Sequence, residues 1–115
     1  MVSIEAILKP YKLDDVRDAL EEVGVGGMTV TEVLQPATPK TYRRARPELS
    51  QNETQMTPKV ILKVVVPQEL LERTIEAICL HGNSGKYEDG LMIVQRVETA
   101  IRVRTGETND DALSL

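Results

Sequence analysis

The sequence predicts a single α+β domain in which two helices cover one face of an antiparallel sheet. A strand-like pattern, a proline and a helical pattern follow one another twice in the chain. Each helical pattern then leads into a further strand-like pattern. The length of 115 residues is close to the commonest size of one domain. We therefore assign residues 1–115 to one domain.

The first of the two units occupies the N-terminal third of the chain. Val2 to Lys9 alternates between apolar and other side chains, as a half-buried strand does, and Pro10 ends it. Residues 12–24 carry apolar side chains at helical spacing with acidic ones between them, and Gly24 closes the helix. Met28 to Leu34 is β-branched and alternating, which predicts the second strand.

The second unit repeats this order. Val60 to Val66 is predicted as the third strand, residues 68–82 as the second helix and Leu91 to Val97 as the fourth strand. A doubled βαβ unit of this kind is the ferredoxin-like arrangement. Residues 35–58, between the second and third strands, show no periodicity and exceed the about 12–15 residues that structureless connections rarely pass. Such a loop is usually functional or disordered.

Apolar residues fall on both faces of the predicted sheet, although two helices can cover only one. The apolar residues in the opposite phase from the helix-facing positions are Ile7, Val33, Ile61 and Val65. We favour burial of this second face against other copies of the chain. The alternative is that these are scattered apolar surface residues, which are common in monomers.

Composition excludes several classes of function. The net charge of −4, three Tyr and the absence of Trp and Phe argue against a nucleic-acid-binding protein. Cys79 is the only cysteine, which excludes an internal disulfide and a cysteine zinc site. The N-terminus has no signal-peptide pattern, and no run of 18 apolar residues occurs. We therefore expect a cytoplasmic protein that does not insert into a membrane.

Two arginines near the C-terminus are candidates for binding phosphate. In an extended strand over residues 100–107, Arg102 and Arg104 would share one face, with side-chain origins about 6.6–7 Å apart. Planar guanidinium groups at this spacing match the oxygens of successive phosphates. A polar strand face that pairs with surface carboxylates explains the same spacing, and spacing alone favours that explanation.

Residues 82–90 form a glycine-rich turn after the second helix. Backbone N–H groups around Gly85 and Gly90 could cradle an anion, and Lys86 would add positive charge. The turn lacks the P-loop pattern, and a plain connecting turn fits it at least as well. His81, the only histidine, is better explained as a cation at a helix C-terminus than as a catalytic residue.

Three segments of the chain resemble the signatures of the PII nitrogen-regulatory signalling proteins. They are KPYKLDDVRDAL (9–20), GMTVTEV (27–33) and IRVRTGETNDDA (101–112). The resemblance implies a ferredoxin-like homotrimer that is not an enzyme and binds adenine nucleotides in clefts between subunits. It also implies a long T-loop that acts on a protein partner, here residues 36–57, a B-loop at 82–90 and a C-terminal segment at 103–115.

The resemblance further implies roles for individual residues. Those implied for the adenine are Ile7, Thr29 and Val65. Those implied for the ribose and phosphates are Gly85, Lys86, Gly90, Arg102 and Arg104, which reverses the preference drawn from spacing alone. The family's lysine after the T-loop, which pairs with a carboxylate of 2-oxoglutarate, is matched by Lys59.

The B-loop departs from the family pattern at two positions. Residues 85–91 read GKYEDGL where relatives usually read GKxGDGK. Glu88 therefore replaces a glycine, and Leu91 replaces the lysine that serves the terminal phosphates. An added anion and a lost cation should penalise the most highly charged ligand most. We expect ADP or AMP to bind at least as well as ATP.

The T-loop has diverged further from the family pattern. Arg46-Pro47 stands where relatives carry Glu-Tyr, so the tyrosine that is uridylylated in many of them is missing. Residues 35–39 lack the usual Gly-x-Gly and the glutamine that helps to hold magnesium and 2-oxoglutarate, so we do not expect sensing of 2-oxoglutarate. The cations available for bicarbonate, another small anion or an acidic partner are Lys59, Arg43, Arg44 and Arg46.

These features favour a specialised nucleotide-responsive regulator without a prosthetic group or a metal site. Its pathway would be nitrogen or inorganic-carbon metabolism, the latter because some relatives with altered T-loops are linked to carbon uptake or carboxysomes. The alternative is a small ferredoxin-like hydrolase of the acylphosphatase type. That activity needs an anion-cradling loop with an arginine after the first strand, where residues 9–13 read KPYKL.

Overall fold

A computed structural model describes residues 1–36, 56–85 and 90–113 of the chain. Its strands are β1 (Val2–Leu8), β2 (Thr29–Pro36), β3 (Met56–Val66) and β4 (Met92–Arg96). Its helices are α1 (Leu13–Val23), α2 (Leu71–Gly82) and the short α3 (Asp110–Leu113), with 3-10 turns at Pro10–Lys12 and Gln68–Leu70 before α1 and α2. The four strands form one antiparallel sheet in the order β2–β3–β1–β4. This order confirms the predicted ferredoxin-like fold.

The hydrophobic core lies between the helices and one face of the sheet. Ile4 pairs with Val64 and Ala6 with Leu62 across the two central strands. All four side chains are at most 1% exposed. The buried residues that α1 and α2 add to this core are Val16, Leu20 and Ile78. The alternation of the strands and the helical period of the helices therefore converge on one core, as the sequence predicted.

The end of α1 is fixed by a glycine, as predicted. Gly24 has a φ of +102°, which L side chains rarely adopt, and its N–H donates to the carbonyls of Leu20 and Glu21. The N–H of Val25 also donates to the Leu20 carbonyl, at 3.0 Å. This closure turns the chain towards β2. No helix in the three described ranges is long and apolar enough to cross a membrane.

β2 and β3 extend further into the long connection than the sequence pattern predicted. The predicted ends were Leu34 and Val60, whereas the observed ladder continues to the pair Pro36–Met56. Pro58 lies within this extension, where β3 has β2 on one side only because the pairing with β1 begins at Val60. A proline is tolerated there because no second strand needs its N–H.

The face of the sheet opposite the helices is here called the open face. The predicted residues Ile7, Val33, Ile61 and Val65 all lie on it and are half-buried. Ile93 of β4 lies on the same face and is 44% exposed. Polar side chains are interleaved with these apolar ones, and Lys63 Nζ lies 3.6 Å from Glu5 Oε1. Both phases of the strands are thus apolar, as the sequence indicated, but only one is packed by helices in the described residues.

Residues 100–107 do not form the extended strand that the sequence predicted. Ile101 makes a single bridge with Thr108, and between them the chain reverses in a tight turn. The N–H of Gly106 donates to the carbonyl of Arg102 at 2.8 Å, and Gly106 has a φ of +75°. A glycine after an alternating run is a turn signal, and it outweighs the alternation here.

Candidate functional site

The C-terminal end of β1 contacts the far end of the B-loop. A Cβ at Gly90 would lie 2.5 Å from the Ile7 carbonyl oxygen and 2.7 Å from the Ile7 Cβ, so only glycine fits at this position. The N–H of Ile7 donates to the carbonyl of Leu91 at 2.9 Å. The structure therefore brings together Ile7 and Gly90, two of the residues that the resemblance assigned to one ligand.

The same end of β1 also contacts the near end of the B-loop. Lys9 Nζ donates to Ser84 Oγ at 2.9 Å. The N–H of Gly85 donates to Asn83 Oδ1 at 2.7 Å, so in this conformation that N–H is used within the turn. Gly85 has a φ of +72°, which explains the glycine. Sequence reasoning missed Lys9 and Ser84, because a contact across 75 residues leaves no signal in local spacing.

A cleft lies between this end of β1, the end of α2 and the chain after the B-loop. Ile7, Gly90 and Leu91 line it, together with Ile78 and the exposed Cys79 of α2. Its volume is about 210 Å³, below the range of about 300–1,000 Å³ that is usual for pockets that enclose small molecules. The described residues of one chain therefore enclose only part of a nucleotide-sized site here.

The two arginines differ in their surroundings. Arg102 is half-buried, and its Nη2 donates to the carbonyl of Ala112 in α3 at 2.7 Å. Its backbone N–H donates to the Glu107 carbonyl at 2.8 Å. Arg104 is exposed in the tight turn. The arginines are thus held by turn geometry and not by a shared strand face, which corrects the predicted arrangement.

The predicted phosphate-binding groups lie at opposite ends of β1. The C-terminal segment lies near the start of β1, where the N–H of Val97 donates to the Met1 carbonyl and Met1 and Asn109 line a common cavity. The B-loop lies beyond the other end, at Lys9. Because β1 has seven residues, its ends are roughly 20 Å apart. In the described residues, the C-terminal segment and the start of the B-loop thus contact opposite ends of β1.

The remaining residues implied for the adenine are spread along the open face. Ile7 pairs with Ile61 near the B-loop end, whereas Val65, four residues further along β3, pairs with Ser3 near the start of β1. Thr29 begins β2 and is exposed. These three residues share a face, but they do not form one cluster within the chain.

Lys59 lies at the base of the T-loop and is 3% exposed. It lines a cavity of about 640 Å³ with Glu32, Leu34 and Pro58 among its neighbours. Lys59 thus brings a cationic side chain to the border of a space that could hold a carboxylate or another small anion. The other predicted cations, Arg43, Arg44, Arg46 and Lys86, lie outside the described residues, as does Glu88.

Two other chemistries gain no support from the described residues. Within residues 1–36, 56–85 and 90–113, no group of three or more His, Cys, Asp or Glu side chains could hold a metal ion. After β1, where a hydrolase of the acylphosphatase type needs an anion-cradling loop, the chain forms the 3-10 turn Pro10–Lys12. Lys9, at the start of this turn, is bonded to Ser84.

Comparison with known proteins identifies a family. The model of the family described as Nitrogen regulatory protein P-II matches residues 1–107. The Haemophilus influenzae protein of that name is 47% identical, with the alignment covering 98% of this chain and 100% of the relative. The Bradyrhizobium diazoefficiens protein of the same name and the Escherichia coli K12 nitrogen regulatory protein P-II 1 are each 42% identical with the same coverage.

Proposed function

Because the chain belongs to the nitrogen regulatory protein P-II family, we propose that it is a regulator that binds adenine nucleotides between the subunits of a homotrimer. Nucleotide occupancy changes the surface that the T-loop, residues 36–57, presents to a protein target. The chain acts by binding and not as an enzyme, in keeping with the regulatory description of its family.

The observation that carries this proposal is the division of the site between the two ends of β1. In this proposal Ile7 and the B-loop, at one end of the roughly 20 Å long β1, form one half of the site. The C-terminal segment with Arg102 and Arg104, which contacts the other end of β1, forms the second half. Two copies of the chain can bring opposite ends together where one copy cannot. A nucleotide bound there would bridge subunits, and its binding would be linked to assembly.

The open face supports association of several copies. Ile7, Ile61 and Val65 form apolar rows on it that no helix of the described residues packs against. A sheet face that carries half-buried apolar residues with polar side chains interleaved is typical of protein–protein contact surfaces. A cyclic trimer would bury three open faces around one axis and would place the ends of neighbouring sheets side by side.

The charge of the site favours ligands with fewer phosphates. Leu91 follows Gly90 at the cleft, is 71% exposed and supplies no cation. Glu88 adds a negative charge to the B-loop sequence. We propose ADP and AMP as the favoured ligands, ATP as a further ligand, and bicarbonate or a carboxylate as the anion at Lys59.

The target belongs to nitrogen or inorganic-carbon metabolism in this proposal. The names of the relatives support nitrogen regulation. The substitutions in the T-loop, above all Arg46-Pro47 at the modifiable tyrosine, support a target or effector different from theirs.

Calorimetry with AMP, ADP and ATP, each with and without 2-oxoglutarate or bicarbonate, tests the proposal. We expect ADP and AMP to bind at least as tightly as ATP, and Leu91→Lys to shift the preference towards ATP by about 3–10-fold through one added charge–phosphate contact. ATP binding clearly tighter than ADP by the unchanged protein would overturn the ligand preference. The absence of any nucleotide binding would overturn the function.

Mixed trimers test whether the site is shared between subunits. Lys86→Ala damages one half of the site and Arg104→Ala the other, and each variant alone should bind weakly. Subunits refolded together in equal amounts should recover about one quarter of the sites. A site is intact only when its B-loop half comes from an Arg104→Ala chain and its arginine half from a Lys86→Ala chain. No recovery would show that the site lies within one chain.

A further inference from the structure

We infer that Lys9 is a positioning residue of the nucleotide site, because its ammonium group holds Ser84 and thereby fixes the start of the B-loop beside Ile7. Its consequence for binding rests on the proposed function. The residue itself is not among those that the family resemblance assigned to the ligand. The bond of 2.9 Å between Lys9 Nζ and Ser84 Oγ joins two half-buried residues 75 positions apart.

The backbone of Lys9 is held in one conformation. It follows Leu8, the last paired residue of β1, and precedes Pro10. A proline restricts the residue before it to extended conformations, and Lys9 has φ −67° and ψ 138°. Because Lys9 is two residues beyond Ile7 in extended chain, both side chains leave the backbone on the same side. The Lys9 side chain therefore starts from a fixed backbone position close to Ile7, the residue implied for the adenine.

Ile7 and Leu8 at the end of β1, and Lys9 directly after it, each contact the B-loop. Gly90 packs against Ile7, and a Cβ at Gly82 would lie 2.8 Å from the Leu8 Cδ2. The third contact is the bond from Lys9 to Ser84. The first two contacts are packing of glycine backbone, which allows sliding and rotation. The bond of Lys9 is directional, so it selects the conformation in which the loop leaves α2.

The start of the B-loop needs such a contact. Asn83 is extended, with φ −77° and ψ 122°, and Gly85 is left-handed with φ +72°. The bond from the Gly85 N–H to Asn83 Oδ1 closes the turn between them and is local to the turn. Gly85 is exposed, and a Cβ built on it would meet no neighbour within 4 Å in the described residues. A tie from β1 to Ser84 restricts this glycine turn before a ligand arrives.

Loss of the Lys9–Ser84 bond should lower the affinity for every ligand that uses the B-loop. A loop that is already ordered costs less to immobilise on binding than one that must be ordered by the ligand. This cost does not depend on the number of phosphates. A direct contact between Lys9 and the phosphates would instead give a loss that grows from AMP to ATP.

The test compares Lys9→Met, Ser84→Ala and the double variant with the unchanged protein by calorimetry. We expect each single variant to lose about 3–10-fold in affinity for AMP, ADP and ATP alike, the effect of one charged hydrogen bond partly exposed to water. The affinity of the double variant should be no lower than that of the single variant that binds less tightly, because both changes remove the same bond. Lys9→Arg, which keeps a donor within reach, should restore most of the affinity.

Lys12→Met is the matched control. Lys12 lies three residues further along, with its ammonium group 5.9 Å from the centre of the Tyr11 ring. Its loss changes the net charge equally, so affinity should stay within twofold of the unchanged protein. A loss equal to that of Lys9→Met would assign the effect to net charge and overturn the inference.

Amide hydrogen exchange at Gly85 in the nucleotide-free protein separates this inference from the proposed function. Exchange should be several-fold faster in Lys9→Met and Ser84→Ala than in Lys12→Met. If the unchanged protein binds no nucleotide, the proposed function fails, and the exchange rates still decide whether Lys9 positions the loop. Unchanged exchange in Lys9→Met, or an affinity loss that grows with phosphate number, would overturn the inference.

Discussion

The two faces of the sheet use the same strands and the same alternation, yet they carry different tasks. On the helix-covered face, Ile4 and Leu62 are at most 1% exposed. On the open face, their neighbours Ile7 and Ile61 are only half-buried. The three residues implied for the adenine all lie on the open face, and none lies on the covered one. A single chain thus completes its core on one side and leaves the side that carries the candidate site unfinished.

The two faces differ in whether charged side chains alternate with the apolar ones. On the covered face, successive cross-strand pairs of β1 and β3 are all apolar. On the open face, the pair Ile7–Ile61 is followed by Glu5–Lys63, whose charged atoms lie 3.6 Å apart. A uniformly apolar face can be buried against a second surface in several alignments. A charged pair between apolar rows also restricts how the second surface can align. This is the pattern expected of a face that is buried by assembly.

The largest effect should follow from a truncation on the covered face. Leu62→Ala removes a fully buried side chain from the centre of the core, so the free energy of unfolding should fall by about 2–5 kcal/mol. Urea denaturation at fixed protein concentration measures it. Leu80→Ala is the matched control, because Leu80 is 75% exposed on α2 and should change stability by less than about 0.5 kcal/mol. Equal effects of the two variants would contradict the assignment of Leu62 to the core.

A charge on the open face should affect assembly and not the core. Ile61→Lys places an ammonium group in the middle of this face, where burial against another copy would leave it without a partner. We expect the molar mass measured by light scattering to fall from that of three chains to that of one. Leu80→Lys makes the same change on the outer surface of α2 and should leave the mass unchanged. A single-chain mass for the unchanged protein would show that the open face is not an assembly surface.

The fold could be predicted because its signals are local and repeated. Alternation in residues 2–9 and helical spacing in 12–24 each predict an element, and Gly24 marks a helix end through its positive φ. The start of β3 was predicted at Val60 and not at Met56, because Pro58 signals a break in a strand. Whether a proline interrupts a strand depends on how many neighbours that strand has, which local sequence does not encode.

The candidate site could be predicted only in part. Motif resemblance supplied Ile7 and Gly90, and the structure places them in contact. It could not supply the bond between Lys9 and Ser84, because that bond depends on how α2 is docked against β1. Alternation placed Arg102 in an extended strand, but the turn closed by Gly106 removes that strand. Long-range docking and tight turns, and not element type, set the limit of prediction here.

The smallest effect should come from the charged pair of the open face in the dissociated protein. Both side chains are well exposed in a single chain, at 51% for Lys63 and 38% for Glu5. A double-mutant cycle with Lys63→Met and Glu5→Gln, measured on the free energy of unfolding at a dilution that dissociates the chains, should therefore give a coupling of about 0.2–1 kcal/mol. The same cycle in the assembled protein should give a larger coupling, because assembly removes water from the pair. The exposed pair Arg17–Asp14 of α1, at 3.3 Å, provides the control whose coupling is independent of assembly. Equal coupling of Glu5 and Lys63 in both states would mean that the open face stays hydrated in the assembly.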